Sequence, residues 1–317
     1  MRKSKIKNDV LKAICSGNMV SGGLIASKLG VSRTAVWKAV NSLRADGYFI
    51  SGLGGGYVLA PENTRLCGEQ LRAEVGENII FKEQTVSTNE DIKAIAESGS
   101  EFTVAVARSQ TGGKGRMGRG FVSPEGGLYF SVLLRPDLDA EACLKITTAA
   151  AVAMAQAIEN VANKPVKIKW VNDIYADGKK LCGILTEGAF DAENGGLKYA
   201  VLGVGVNVCT PAAGFQKEIE NKAGALFAAH KVPSLIYCAL LKEFLKIFKE
   251  YYENIGSMPH IEEYRRRSLL TGRDITYSKG GKTRTARVTG IGDNAELIVK
   301  EKKDEILLTS GEVEINL

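Results

Sequence analysis

Between Gln110 and Phe121 the chain reads QTGGKGRMGRGF, five glycines interleaved with Lys114, Arg116 and Arg119, and this stretch limits the fold more than any other. Gly113 to Gly118 match the spacing GxGxxG, which in a dinucleotide-binding domain ends a strand and opens a helix that takes the pyrophosphate. Here the continuation is Phe121-Val-Ser-Pro-Glu-Gly-Gly and then the β-rich run Leu128–Leu134, which leaves no helix for that role. A P-loop is excluded too, because Lys114 is followed by Gly115 instead of Ser or Thr. What remains is a glycine-rich loop carrying cations. Glycine lets backbone N–H groups approach an anion closely, and Arg offers planar bidentate donors to carboxylate or phosphate. A solvated basic surface loop has the same composition. The two readings are compatible, since so flexible a loop is costly to order and would order when ligand fills the site.

At 317 residues the chain is long enough for two or three domains. With 44% hydrophobic and 25% charged residues it has the composition of a soluble globular protein, and no run of 18 apolar residues predicts a membrane span. The start MRKSKIKNDVLKAI is basic but has no apolar h-region, so it does not read as a signal peptide and the expected location is the cytoplasm. Six cysteines without a CxxC pair, and only His230 and His260 beside them, read as reduced thiols and not as a metal site.

The net charge of +6 is unevenly spread: residues 1–63 hold nine Lys and Arg against Asp9, Asp46 and Glu62, so the rest of the chain balances to zero. A small basic segment on a neutral chain is the footprint of phosphate contact. Within it, 8–15 and 21–29 carry apolar positions at helical spacing, Gly30 closes the second helix, and Ser32 caps a third over Arg33–Asp46. Val36, Val40 and Leu43 face inward and Arg33, Thr34, Lys38 and Asn41 outward. The runs 48–50 and 57–59 around a glycine loop add a hairpin, so the segment reads as a winged helix-turn-helix with Ser32, Arg33, Thr34, Lys38 and Asn41 as candidate DNA contacts. A three-helix module for protein contacts is the alternative. Pro61 and Glu62 mark a linker.

Further on, 102–108, 128–134, 166–170, 181–186 and 199–206 read as strands, and 145–162 and 234–254 as helices, an α+β arrangement with a mixed sheet. From about residue 270, short strands at 275–277, 285–289, 297–300 and 305–308 suggest a small β-barrel.

Six motifs occur in one order: Ser87-Thr-Asn89, the 110–121 loop, Gly127-Leu-Tyr-Phe-Ser131, Lys169-Trp-Val-Asn-Asp173, Lys180-Leu-Cys-Gly-Ile-Leu185 and Gly203-Val-Gly-Val-Asn207. In these the chain resembles the family of bifunctional biotin protein ligases and biotin operon repressors over nearly its whole length. The resemblance implies a multidomain α+β protein: a winged helix-turn-helix over 1–63, a mixed-sheet ligase domain of the class II aminoacyl-tRNA synthetase and biotin ligase type over 64–268, and an SH3-like barrel over 269–317.

The resemblance also implies roles. Ser87, Thr88, Asn89 and Gln110 would line a biotin pocket, their hydroxyl and amide groups pairing with the ureido ring of an otherwise apolar ligand. Lys114, Gly115 and Arg116 would cover biotin and its adenylate, with Arg116 and Lys180 offsetting the carboxylate and α-phosphate as they meet. Asn172 and Asp173 match the pair associated with Mg-ATP, Asp173 as a hard oxygen ligand for Mg2+, while Arg119, Gly205 and Asn207 would face the nucleotide. Arg116, Lys180 and Asp173 are thus the catalytic candidates. Read without the family, Asn-Asp is also ordinary turn chemistry, Trp170 suits core packing or a ligand face, and 203–207 is also a strand end.

The implied reaction joins biotin to ATP as biotinyl-5'-AMP and passes the biotinyl group to a lysine of a biotin carboxyl carrier protein of the acetyl-CoA carboxylase type. The adenylate would also serve as corepressor, favouring a homodimer that reaches two operator half-sites. Three departures bear on the transfer: Phe121 stands where the family often has Trp, Val171 where it often has Pro, and the segment Glu312–Leu317 has no terminal arginine to bring towards ATP. A sensor without ligase chemistry and a lipoyl or octanoyl transferase are the competing classes.

Overall fold

The structure is a computed structural model that describes the chain apart from residues 1, 16–17, 53, 61–63, 77, 138–141, 191–195, 229–230, 234, 280–281, 310–312 and 316–317. The linker expected at Pro61 and Glu62 and half of the final segment, Glu312, Asn316 and Leu317, lie outside the described residues. Two compact units form, Met1–Ile79 with His230–Lys242, and Ile80–Ala229 with Glu243–Leu317. The C-terminal strands join the central unit, tied to it by Trp170 Nε1 donating to Ala295 O at 2.8 Å and Arg265 Nε donating to Ile291 O at 3.0 Å.

In the first unit, helices α1 (Arg2–Ile14), α2 (Gly22–Leu29) and α3 (Arg33–Ala45) pack around Val10, Ile14, Ile25, Val36, Val40 and Leu43. Each such side chain, removed from water, contributes about 1.5–3 kcal/mol. Both caps of the helix-turn-helix come from serine: Ser21 Oγ accepts from Leu24 N and Ser32 Oγ from Ala35 N, each at 3.1 Å. Gly30 takes the left-handed conformation, φ 62°, that ends α2 and turns the chain into α3. Strand β1 (Val20–Ser21) pairs with β3 (Gly56–Leu59), and β3 with β2 (Ile50–Ser51), so the expected hairpin gains a third strand from the start of α2. α1 begins six residues before the expected position, carried by Ile6 against the core and by lysines that suit a helix. Helix α4 (Gly68–Val75), unmarked by any side-chain cap, was not visible in the sequence pattern.

The second unit is built on a seven-stranded sheet. Its strands are β4 (Ile79–Thr85), β5 (Val104–Gln110), β6 (Gly127–Leu134), β7 (Lys167–Lys169), β8 (Asp173–Ala176), β9 (Lys179–Phe190) and β10 (Leu197–Asn207), in the order β4-β5-β6-β10-β9-β8-β7. Every residue of β6 is buried, so the strand is covered on both faces, and its unbroken apolar run is the consequence. On one face α5 (Thr88–Ile95) sets Ile92 against Ala105, Leu133 and Val201. On the other, α6 (Ala142–Ala162) lies against β9, with Thr147 Oγ1 2.7 Å from Thr186 Oγ1, while Phe244 of α7 (Ile236–Glu253) meets Phe130 edge-on at 5.1 Å. A short helix α8 (Ile261–Arg266) leads to the C-terminal strands.

These are β11 (Asp274–Lys279), β12 (Lys282–Ile291), β13 (Leu297–Glu301), β14 (Asp304–Leu308) and β15 (Val313–Ile315), an antiparallel sheet in the order β14-β13-β12-β11-β15 around Ile275, Tyr277, Val288, Leu297 and Val299. The four expected strands are present, and β15 is a fifth. No helix among the described residues is long and apolar enough to cross a membrane.

Candidate active site

One sheet face forms the site, and strand register decides what lies on it. Asp173 pairs with Gly183, Gly183 with Gly205 and Gly205 with Tyr129, a row running across β8, β9, β10 and β6. The next row on the same face is Leu185, Gly203 and Ser131, and the next is Glu187, Val201 and Leu133. Three glycines thus clear a floor. Their emptiness is used: a Cβ on Gly203 would collide with Asn89 Oδ1, and one on Gly205 would come 2.5 Å from the ring of Phe121. Over this floor a cavity of about 170 Å³ opens between α5, the 110–121 loop and Trp170.

At one end the buried start of α5 supplies hydrogen-bonding groups already held in place. Gln110 Oε1 accepts from Thr88 N at 2.9 Å and Thr88 Oγ1 at 3.2 Å, and Gln110 Nε2 donates to Ser123 Oγ at 2.9 Å. Ser131 Oγ lies 2.7 Å from Thr88 Oγ1 and 2.5 Å from Asn89 Oδ1, while Asn89 Nδ2 donates to Glu187 Oε2 at 2.6 Å. Glu187 is itself paired with Lys93 at 2.8 Å. Such a network fixes which lone pairs and N–H groups face the cavity.

The other end is charged. Lys180 Nζ lies 2.7 Å from Asp173 Oδ1 and 5.7 Å from the centre of the Phe121 ring. The contact is in ion-pair range without hydrogen-bond alignment, so this buried carboxylate oxygen has no hydrogen-bond partner. Arg116 Nη1 is 3.5 Å from Asn172 Oδ1, and Asn172 Nδ2 is anchored on Ile184 O at 2.6 Å. Burial lowers the pKa of the Arg116 guanidinium, and the charge of Asp173 opposes that shift.

The glycine-rich loop is folded back on itself. Gly115 N donates to Arg119 O at 2.7 Å and Phe121 N to Gly113 O at 2.8 Å, around a single 3-10 turn at Arg116–Gly118 where Met117 and Gly118 have φ of 55° and 74°. No helix follows it. Lys114 reaches Glu90 at 2.8 Å, and together with Lys93 it holds that carboxyl below the usual carboxylate range.

Two independent matches cover these regions. Residues 80–207 match the biotin/lipoate A/B protein ligase family and residues 7–58 an HTH domain. The chain is 31% identical to the "Bifunctional ligase/repressor BirA" of Bacillus subtilis and 30% identical to that of Bacillus spizizenii, each alignment covering 99% of both proteins. The chain belongs to the bifunctional biotin ligase and repressor family. A solved biotin protein ligase from Aquifex aeolicus, in complex with biotin and ATP, superposes with a TM-score of 0.62 at 25% identity, covering 76% of this chain and 99% of that one.

Against that membership, the candidate residues fall into three groups. Ser87, Thr88, Asn89, Gln110, Lys114, Gly115, Arg116, Arg119, Asn172, Asp173, Lys180 and Gly205 all line the one cavity. Asn207 does not: at the end of β10 its Nδ2 donates to Gly224 O at 3.0 Å, which ties the following loop to the sheet. The DNA candidates lie apart on α3, with Arg33, Thr34 and Lys38 exposed, Asn41 half-buried, and the Ser32 hydroxyl taken up as the cap.

Sequence reasoning missed Glu187 and Ser131 as holders of Asn89, since only cross-strand register brings them beneath α5. It also left Trp170 between two roles; buried, and hydrogen-bonded to Ala295, it both packs and lines the cavity. Val313 reaches the same cavity from the C-terminal sheet.

Proposed function

We propose that this chain activates biotin with ATP in the cavity between α5 and the 110–121 loop and transfers it to a lysine of a carrier domain of the acetyl-CoA carboxylase type. It is a bifunctional biotin protein ligase and repressor. The observation that carries the assignment of residues is the convergence of Arg116, Lys180 and Asp173 on one glycine-floored cavity.

Biotin's ureido ring pairs with the Thr88, Asn89 and Gln110 end, and its carboxylate points towards Arg116 and Lys180. The carboxylate oxygen attacks the α-phosphorus, the bond to the β-phosphate breaks, and pyrophosphate leaves. Two anions must meet in this step, and fixed cations lower its cost without reorganising. The lysine amine then attacks the mixed anhydride carbonyl, AMP departs, and the amine loses its proton. No enzyme nucleophile enters. The folded loop keeps water from the adenylate meanwhile.

The residues present suit Mg2+. Asp173 Oδ1 is a buried oxygen lacking a hydrogen bond, and Asn172 lies beside it. Among the described residues no three acidic, His or Cys groups make a cage, which fits a cation held mainly by nucleotide phosphates and one carboxylate. When bound, it would neutralise phosphate charge. Arg119 faces the same nucleotide, and Gly205 supports the site by seating the Phe121 ring.

We further infer a cytoplasmic setting, where ATP is available, and an adenylate-promoted homodimer whose two winged helices meet operator half-sites. The functional modules remain 1–63, 64–268 and 269–317. Biotin and α-labelled ATP given to the purified chain are expected to yield bound adenylate and then a labelled carrier domain. Recovery of unreacted ATP would mark a sensor instead of a ligase, and labelling with lipoate in place of biotin would mark the other branch of the family. Sedimentation with and without biotin and ATP tests the dimer, and an unchanged association constant refutes it.

A further inference from the structure

The repressor reading implies contact with DNA but leaves open which side chain reads sequence. On α3 the outward face contains Arg33, Thr34, Lys38 and Asn41, and in their midst Trp37, whose indole is 53% exposed. Positions 33, 34, 37, 38 and 41 share one helical face, one, three or four residues apart. So large an apolar ring left in water on a small basic unit has no packing reason: Val36, Val40 and Leu43 already fill the core beneath α3. Trp37 also lines a surface groove with Arg33, Thr34, Gly55 and Tyr57, which joins the start of α3 to the wing. α3 carries Arg33, Lys38 and Arg44 and no acidic residue, so the surroundings of the ring favour a polyanion over another protein's apolar face.

We propose that Trp37 is a specificity-determining residue of the repressor, its indole lying against a thymine methyl group in the major groove while Arg33 and Lys38 hold the phosphates on either side. The major groove shows thymine as a carbonyl acceptor beside a C5-methyl group, and an apolar ring recognises the methyl without a hydrogen bond. Trp37 sits in the first turns of the helix, the part that faces base edges in helix-turn-helix docking. The inference rests on the repressor reading. It adds that one base of the site is read by shape and apolar contact.

The test uses the full chain with biotin, ATP and Mg2+ present and duplexes recovered from a randomised library. Each thymine of the recovered site is replaced in turn by deoxyuridine, which deletes only the methyl group. For the wild type, one replacement is expected to weaken binding about fourfold, the value of one buried methyl at ~0.8 kcal/mol. Trp37→Ala is expected to bind the thymine and uracil duplexes alike, with affinity for unrelated duplex and the salt slope unchanged. Trp37→Phe, which keeps an apolar ring, should retain part of the discrimination and guards against a folding defect in the alanine variant. If the wild type discriminates at no thymine, or if Trp37→Ala keeps the full difference, the assignment is wrong while the repressor reading stands. If the wild type recovers no duplex from the library, both fail.

Discussion

The ring of Phe121 lies across the bare backbone of Gly205, where a Cβ would come within 2.5 Å of the aromatic edge. The loop that closes the cavity is therefore seated on the floor of the sheet, and two distant motifs are complementary in shape.

Gly205→Ala should displace that ring and, with it, the neighbouring Lys180 ammonium. Overpacking of this kind costs about 1–3 kcal/mol. Adenylate formation is expected to fall about tenfold, with a drop in Tm of a few degrees. Gly290→Ala, where a Cβ meets nothing within 4 Å, is the control and should match the wild type. Equal activity of the Gly205 variant would show that the ring seat is unimportant.

Glu187 acts on the pocket through its bonds to Asn89 and Lys93. Glu187→Gln keeps the size but loses a charged acceptor, and hydrogen bonds to charged groups are worth about 1.5–3 kcal/mol when buried. The site is half-buried, so the lower end applies. The expected outcome is a rise of about tenfold in KM for biotin with kcat and KM for ATP little changed; a loss confined to kcat would contradict the positioning role.

Asp173→Asn removes the carboxylate beside Lys180. If Asp173 helps hold Mg2+, a titration of activity against Mg2+ should shift its midpoint upward by about tenfold, since an amide is a weaker ligand than a carboxylate. A lower plateau at an unchanged midpoint would assign Asp173 to orienting Lys180 alone.

His260 is fully buried at the start of α8, its Nε2 2.9 Å from Thr148 Oγ1 and its ring against Tyr251, and burial pulls its pKa from 6.5 down to about 4. The unfolded chain therefore takes up a proton that the folded chain refuses. Stability from this group is complete above pH 6.5 and is lost as pH falls through the window to about 4, a loss of about 3 kcal/mol at most. Urea unfolding at pH 7 and pH 4.5 should show a larger loss for the wild type than for His260→Gln. Parallel losses would show that the ring does not carry the effect.

Much of the site was legible in the sequence because backbone requirements leave marks there. The glycines at 113–120 cannot open a nucleotide-fold helix when a strand follows, and Ser32 announces α3 as a cap. The outward face of that helix was legible too, except that an aromatic at 37 was passed over among polar neighbours. What left no mark was pairing between strands. Ser131 and Glu187 hold Asn89 from 42 and 98 residues away, and Asn207, two positions beyond Gly205, turns to Gly224 instead of the cavity.

By itself, then, the sequence determined the local pieces: a capped, acid-free recognition helix on a basic segment, and a loop of glycines and cations before a buried strand. Local conformation follows from caps, φ preferences and periodicity, which act over a few residues. Only the tertiary structure decided which pieces meet. The register of β6, β9 and β10 lined up Gly183, Gly203 and Gly205, and α5 came to rest on Leu133 and Val201. A one-residue slip in that register would have turned the floor of the site to the opposite face.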